Sequence, residues 1–172
     1  MKHLVFDRDL NDDIRSGEQS IVVAMGCFWG AEKLFFNTTG VTLTMVGYAG
    51  GNTVEPTYEQ TCSGLTGHTE VVKIVFDASV ISLHQLLDLF WKNHDPTQGD
   101  RQGNDIGSQY RSAIYCDNEQ LQCVKDSGDN YQQLLNANGF SAITTEIKTD
   151  QIFYSAEAYH QQYLRRVPNG YC

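Results

Sequence analysis

Ile21, Val22, Val23, Ala24 and Met25 form a short continuous apolar run of the kind buried strands show. The chain then passes through Gly26-Cys27-Phe28-Trp29-Gly30 straight into a helix-like segment, Ala31 to Asn37. A strand that ends in glycine and hands over this abruptly fixes strand and helix relative to each other and places Cys27 at the helix's first turn. Free backbone N–H groups and the positive end of the helix dipole there favour thiolate over thiol. A free cysteine is more often a small buried hydrophobe. Here the flanking glycines let the backbone turn and a substrate come close. Phe28 and Trp29, large aromatics directly after the thiol, suit an apolar cup for a small uncharged group. Cys27 is the candidate nucleophile.

The elements around this junction can be read in order. Met1 to Ser20 is polar and charged and forms a peripheral lead-in without chemistry. The helix Phe28 to Asn37 turns Leu34, Phe35 and Phe36 inward and stops near Gly40. Val41 to Tyr48 alternates as a second strand, and Ala49 to Gly67, rich in Gly, Thr and Asn, is a loop long enough to be functional. Glu70 to Asp77 is the third strand. Ser82 and Gln85 make a capping box for a helix to Lys92, with Leu83, Leu86, Leu87, Phe90 and Trp91 as its buried stripe. Asn93 to Gln109 is a second long loop, and Arg111 to Cys116 the fourth strand. Asp117 caps a helix to about Asn136, ended by Gly139; Ser141 to Lys148 is a further strand; Ser155 caps a last helix to Arg166.

Strand, helix, strand, strand, helix, strand over Ile21 to Cys116 is the split βαβ order. The expected fold class is α+β: a ferredoxin-like two-layer α/β sandwich with a split βαβ core, added helices and strand, and an irregular C-terminal tail. A chain of 172 residues fits one domain. Residues 1–20 are its lead-in and 167–172 a mobile tail.

A net charge of −9 lacks the basic footprint that phosphate binding needs, so nucleic acid is not an expected partner. No apolar span reaches membrane length, and the charged start does not fit a signal peptide, so a cytoplasmic protein is expected. Five cysteines, Cys27, Cys62, Cys116, Cys123 and Cys172, form no CxxC pair, which argues against a secreted disulfide scaffold. His68 and Glu70 lack the ligand spacings of a zinc site, so no metal is expected.

GCFWG, taken with GYAGG at Gly47 to Gly51, PTYEQ at Pro56 to Gln60, TGHTEVV at Thr66 to Val72, NDIGSQYRS at Asn104 to Ser112 and AEAYHQQYL at Ala156 to Leu164, resembles the A-class peptide methionine sulfoxide reductases. The likeness runs from about Ile21 to Cys172. It implies the same two-layer sandwich and a thiol-dependent reduction of free and protein-bound methionine S-sulfoxide, a repair of oxidised proteins. A thiolate attacking a sulfoxide sulfur needs a proton delivered to the oxygen. Carried over position by position, the resemblance makes Glu70 the proton donor and Tyr58 and Tyr110 hydrogen-bond partners of that oxygen. It makes Phe28 and Trp29 the methyl pocket, and gives Asp105 the backbone of the substrate residue; an Asx turn feeding Gly107 is the structural alternative for Asp105.

Cys172, behind Pro168, Asn169 and Gly170, sits where a core cysteine would be out of place. In the family scheme it resolves a Cys27 sulfenic acid to a Cys27–Cys172 disulfide, which thioredoxin, or dithiothreitol in its stead, reduces. No bound cofactor is implied, and a monomer is expected. Cys62, Cys116 and Cys123 are bystanders, Cys62 the least securely so. His94 and His160 are structural. The chain has TGHTE where Ala commonly precedes the Glu, DIGSQ where Thr is commoner than Ser, and RVPNGYC where Asn-Pro is usual. It also stops at Cys172, where many relatives carry a glycine-rich tail with another cysteine, which favours a single exchange. Two rivals stand beside this reading: a thiol hydrolase in which His68 activates Cys27, and a redox sensor that binds oxidised peptides and signals through the same disulfide.

Overall fold

The apolar run lies at the centre of the sheet. In a computed structural model describing all 172 residues, β1 (Glu18–Met25) has a neighbour on each side. It pairs antiparallel with β3 (Thr69–Asp77), Val23 facing Val72 and Ile21 facing Ile74. Its other edge pairs antiparallel with β6 (Ser112–Cys116), Val23 facing Ile114. Strand β2 (Val41–Ala49) pairs with the far side of β3, setting Tyr48 opposite Glu70. β1 and β2 are therefore parallel, with β3 inserted between them, and the order β6-β1-β3-β2 is the ferredoxin-like core. Strand β7 (Glu146–Thr149) extends it beyond β6 in parallel, and β8 (Tyr154–Ser155) beyond β2. A two-stranded hairpin, β4 (Arg101–Gln102) and β5 (Asp105–Ile106), stands apart.

Helices cover one face. α1 (Phe28–Phe36) links β1 to β2, and α3 (Leu83–Lys92) carries the capping box between Ser82 and Gln85. Phe28, Phe35, Leu86, Leu87, Phe90 and Trp91 meet Ile21, Val23, Val46, Val72, Ile74 and Ile114 of the sheet in the main core. α4 (Leu121–Ala137) lies beside α3, where Trp91 donates its indole N–H to Ser127 and stacks on Tyr131. The opposite face holds two small clusters, one of which takes Leu10 from the lead-in. No helix is long and apolar enough to cross a membrane.

Several elements depart from the sequence reading. The lead-in is partly structural: Arg8 is buried, ion-paired to Glu18 at 2.7 Å, and His3 is buried against β2. The first long loop contains α2 (Tyr58–Cys62), opened by a capping box between Thr57 and Gln60 that the sequence displays and the loop reading passed over. The second contains the β4–β5 hairpin and a single 3-10 turn, Ser108–Tyr110. Asp117 accepts the Gln120 N–H at 2.8 Å, yet the regular helix begins only at Leu121.

The last helix is the larger correction. Tyr154 and Ser155 are strand, and only Tyr163–Arg166, α5, is helical. Two glutamines pull the intervening chain off a helical course. Gln161 bonds the N–H and C=O of Val46 on β2. Gln162, at a left-handed φ of 48°, gives its own N–H and its side-chain amide to the Glu32 carboxylate at 2.7 and 2.8 Å.

Glu32 is 1% exposed, on α1. Its third donor is the Thr44 hydroxyl, at 3.0 Å, and Thr44 in turn meets His3 Nε2 at 2.9 Å. His3 Nδ1 accepts the N–H groups of Val5 and Phe6, so the proton belongs on Nε2 and the chain of donors is continuous. Burial raises the Glu32 pKa and outweighs these bonds. One carboxyl thus joins the lead-in, β2, α1 and the turn that launches the C-terminus. Glu32→Ala is expected to cost about 2–4 kcal/mol of unfolding free energy, because buried donors lose their acceptor. Urea denaturation measures it, and an unchanged midpoint would show that the network is dispensable.

Candidate functional site

Cys27 stands at the N-cap of α1. Gly26 before it has φ +91°, and a Cβ there would lie 2.6 Å from the Gln102 Cβ, so the turn needs glycine both for its conformation and for the hairpin packed over it. Glu70, on the adjacent β3, reaches under the same helix start. Its Oε2 accepts the Phe28 N–H at 2.9 Å, and the side chain is 2% exposed. Burial raises its pKa to about 8, against the lowering effect of that bond and with further upward pushes from Asp105 and Cys172. That bond engages Oε2 and leaves Oε1 as the oxygen free to donate a proton.

A cavity of about 70 Å³ is lined by Cys27, Phe28, Trp29, Tyr58, Glu70, Asp105, Tyr110 and Tyr171. The structure thus brings together seven of the eight residues singled out from sequence. The eighth, Cys172, sits against Cys27 from outside this chamber. Tyr58 opens α2, and its N–H donates to Glu157 at 2.9 Å, an acceptor that also takes the Tyr48 hydroxyl at 2.8 Å. Tyr110 ends the 3-10 turn; burial first, then the Glu70 charge, push its hydroxyl up to about 12, so both phenols remain donors at neutral pH.

The aromatic wall depends on a residue the sequence reading left as merely structural. The buried His160 ring packs against Phe28, Trp29 and Tyr58 at centroid distances of 5.0, 5.7 and 4.6 Å. Its Nδ1 accepts the Trp29 indole N–H at 3.2 Å. Tyr163 stacks on the Trp29 ring at 3.9 Å. The i,i+3 spacing of His160 and Tyr163 in AEAYHQQYL is the sequence signal for rings that share one face.

The C-terminal residues rest on the site. Tyr171 donates its hydroxyl to Asp105 Oδ1 at 3.0 Å. Cys172 occupies the space beside Gly30 where a Cβ would stand, so this glycine admits the second cysteine as well as a substrate. All five cysteines are free thiols. The helix start does not act on Cys27 alone, as the sequence suggested. Hydrogen bonding from the Cys27 S–H pulls Cys172 down to about 7, helped by the Gly30 N–H and Lys33. Cys27 is pushed up by Cys172, by burial and by Glu70, against the Trp29 N–H. Of the two, Cys172 is the thiol that gives up its proton first.

His68 does not fit the role of base. Its Nδ1 accepts the Gly51 N–H and its Nε2 meets the Thr53 carbonyl at 2.7 Å, so both nitrogens are spent on the loop. His94 likewise spans the Phe90 carbonyl and Ser112. Cys62, at the end of α2, meets the Tyr58 hydroxyl; Cys116 and Cys123 lie in the main core and its margin. Selective ¹³C-carboxyl labelling of glutamate should reveal one resonance titrating near 8 and missing in Glu70→Gln. If every resonance titrates in the ordinary carboxylate range, the protonated acid is absent.

Residues 19–172 match the family described as peptide methionine sulfoxide reductase. The peptide methionine sulfoxide reductase MsrA of Vibrio parahaemolyticus is 56% identical over 171 residues, 99% of this chain and 81% of that one. Methionine sulfoxide reductase A of Corynebacterium diphtheriae superposes with a TM-score of 0.92 at 44% identity, covering 99% of this chain and 83% of that one. Mxr1 of Saccharomyces cerevisiae in reduced form gives 0.84 at 32% identity, covering 91% and 90% of the two chains. In its complex with Trx2, the yeast protein gives 0.62 at 23%, a likeness of fold alone, covering 89% and 90%.

Proposed function

The chain belongs to the peptide methionine sulfoxide reductase family and reduces methionine sulfoxide to methionine, and from that premise we propose how its own residues carry the reaction. The observation behind the proposal is the shared position of Cys27 and Glu70: nucleophile and buried, protonated carboxyl meet at one helix start and line one small chamber. The sulfoxide methyl packs between Phe28 and Trp29, and the oxygen points to Glu70 Oε1, Tyr58 and Tyr110. Asp105 takes the substrate's backbone N–H once Tyr171 has released it.

Cys27, as the thiolate, attacks sulfur, and Glu70 protonates the oxygen. Oxygen passes to Cys27, methionine leaves, and Cys27 remains as sulfenic acid. The Cys172 thiol then attacks that sulfur, water departs, and the Cys27–Cys172 disulfide forms. Two electrons from a dithiol close the cycle. Thioredoxin is the reductant the family resemblance implies. The reading is of one domain, a monomer in the cytoplasm, acting on oxidised proteins, peptides and free methionine sulfoxide.

Mixing reduced protein with racemic methionine sulfoxide and no reductant should release one methionine per chain and lower five thiols to three, the bridge mapping to Cys27 and Cys172. Cys172→Ser should keep that first methionine and lose thioredoxin-driven turnover; full turnover in this variant, with a Cys27–Cys62 bridge in the parent, would transfer the resolving role to Cys62. A chamber that fixes both methyl and oxygen accepts one configuration at sulfur, so with excess dithiothreitol the racemate should stall near half conversion at the S epimer. Consumption of both epimers would contradict it. Glu70→Gln should slow the reductase step by about 10²–10⁴. In the parent the rate should fall above about pH 8 as Glu70 loses its proton, and this limb should vanish in the variant; a limb that persists there belongs to another group.

A further inference from the structure

A second, larger cavity opens on the same pair of sulfurs. It has a volume of about 410 Å³, within the range of small-molecule sites. Cys27, Asp105 and Tyr171 line both cavities, so they form the wall between them, while Cys172 lines only the larger. The floor of this second chamber is apolar, from Met25, Ala31 and Leu34, and its rim carries the amide side chains of Asn93 and Asn104. Nothing in the sulfoxide reaction described above uses it.

The second half of the cycle does have a geometric need that it meets. A thiolate opens a disulfide by approaching one sulfur from the side opposite its partner, and access decides which sulfur is attacked. Attack on Cys27 from the side away from Cys172 would have to come through the narrower chamber of about 70 Å³, where an incoming thiolate would meet the rings of Phe28 and Trp29 and the Glu70 carboxyl. Cys172 is exposed and faces the larger chamber.

We propose that this second chamber binds a low-molecular-weight peptide thiol, whose backbone amides pair with Asn93 and Asn104 and whose sulfur attacks Cys172 of the oxidised enzyme. The inference rests on the Cys27–Cys172 disulfide of the preceding reading. The new S–S bond forms between the incoming sulfur and Cys172, the Cys27–Cys172 bond breaks, and Cys27 leaves as thiolate at the start of α1. A second molecule of the same thiol attacks its own sulfur in the mixed disulfide and frees the Cys172 thiolate. Two thiols are oxidised to one small disulfide and the protein disulfide is reduced to two thiols. Substrate and reductant therefore have separate entrances, one on each side of Cys27.

Glutathione is the probe. The bridge is made first with one equivalent of methionine sulfoxide and checked by thiol count; if no Cys27–Cys172 bridge forms, the resolving role of Cys172 falls and this inference with it. Bridged protein is then mixed with glutathione and quenched with acid at intervals. The expected adduct is glutathione on Cys172, and an adduct on Cys27 overturns the proposal. Asn104→Trp, which fills the rim, should slow reduction of the bridge by glutathione about tenfold or more, while single-turnover release of methionine and reduction by thioredoxin stay within about twofold. Leu34→Trp fills the chamber from the floor and should act in the same way. An undiminished glutathione rate in both variants overturns the proposal, as does an equal loss with both reductants, which would mean that the substitutions disturbed Cys172 and not a binding site.

Discussion

The bond between the Phe28 N–H and the Glu70 carboxyl is the constraint on which the site depends. It ties the start of α1 to the start of β3, elements forty residues apart in sequence, and it does so at the point where the helix presents its unpaired donors. A carboxyl in that place would ordinarily ionise readily, since one N–H supports it and a helix start favours negative charge. Burial reverses the outcome and keeps the acid protonated near neutrality. In the proposed reaction this one short junction holds both the nucleophile, Cys27, and the proton donor, Glu70. The register of β3 against β2, which sets Glu70 opposite Tyr48, fixes how far the carboxyl reaches.

The strand–glycine–helix junction, the Ser82–Gln85 capping box and the order of the four core strands could be read from sequence because each is a local pattern with a local cause. Apolar periodicity marks the buried faces, and a hydroxyl three residues before a glutamine marks a helix start. The candidate site residues, which, Cys172 apart, the fold gathers around one cavity, came from a different source, the resemblance of several motifs to one family; as isolated residues, Tyr58, Tyr110 and Asp105 carry no such signal.

What could not be read lies where distant polar groups override local preference. Residues 155–166 have helical character, yet Gln161 is drawn to the backbone of β2 and Gln162 to Glu32, and these partners lie more than a hundred residues away in sequence. The helix that results is one turn long. Tyr163 stacks on the Trp29 ring and His160 accepts the indole N–H. The electrostatics were equally out of reach: a helix start argues for a Cys27 thiolate, and only the neighbouring sulfur of Cys172 reveals why the negative charge settles elsewhere in the resting pair.

Cys172 already lies in the notch beside Gly30 while the two cysteines are unbonded. A sulfenic acid is vulnerable to further oxidation, since peroxide carries it to sulfinic acid, from which few proteins recover. Its escape is a race between an intramolecular thiol and an oxidant in solution. A partner held in contact acts at an effective concentration that dilute peroxide does not match, on the order of 10⁵ M or more for well-oriented groups. On the proposed mechanism, the missing side chain at position 30 protects the enzyme from the oxidative conditions that create its substrate, and a methyl group there would expose Cys27 to irreversible loss in proportion to that stress.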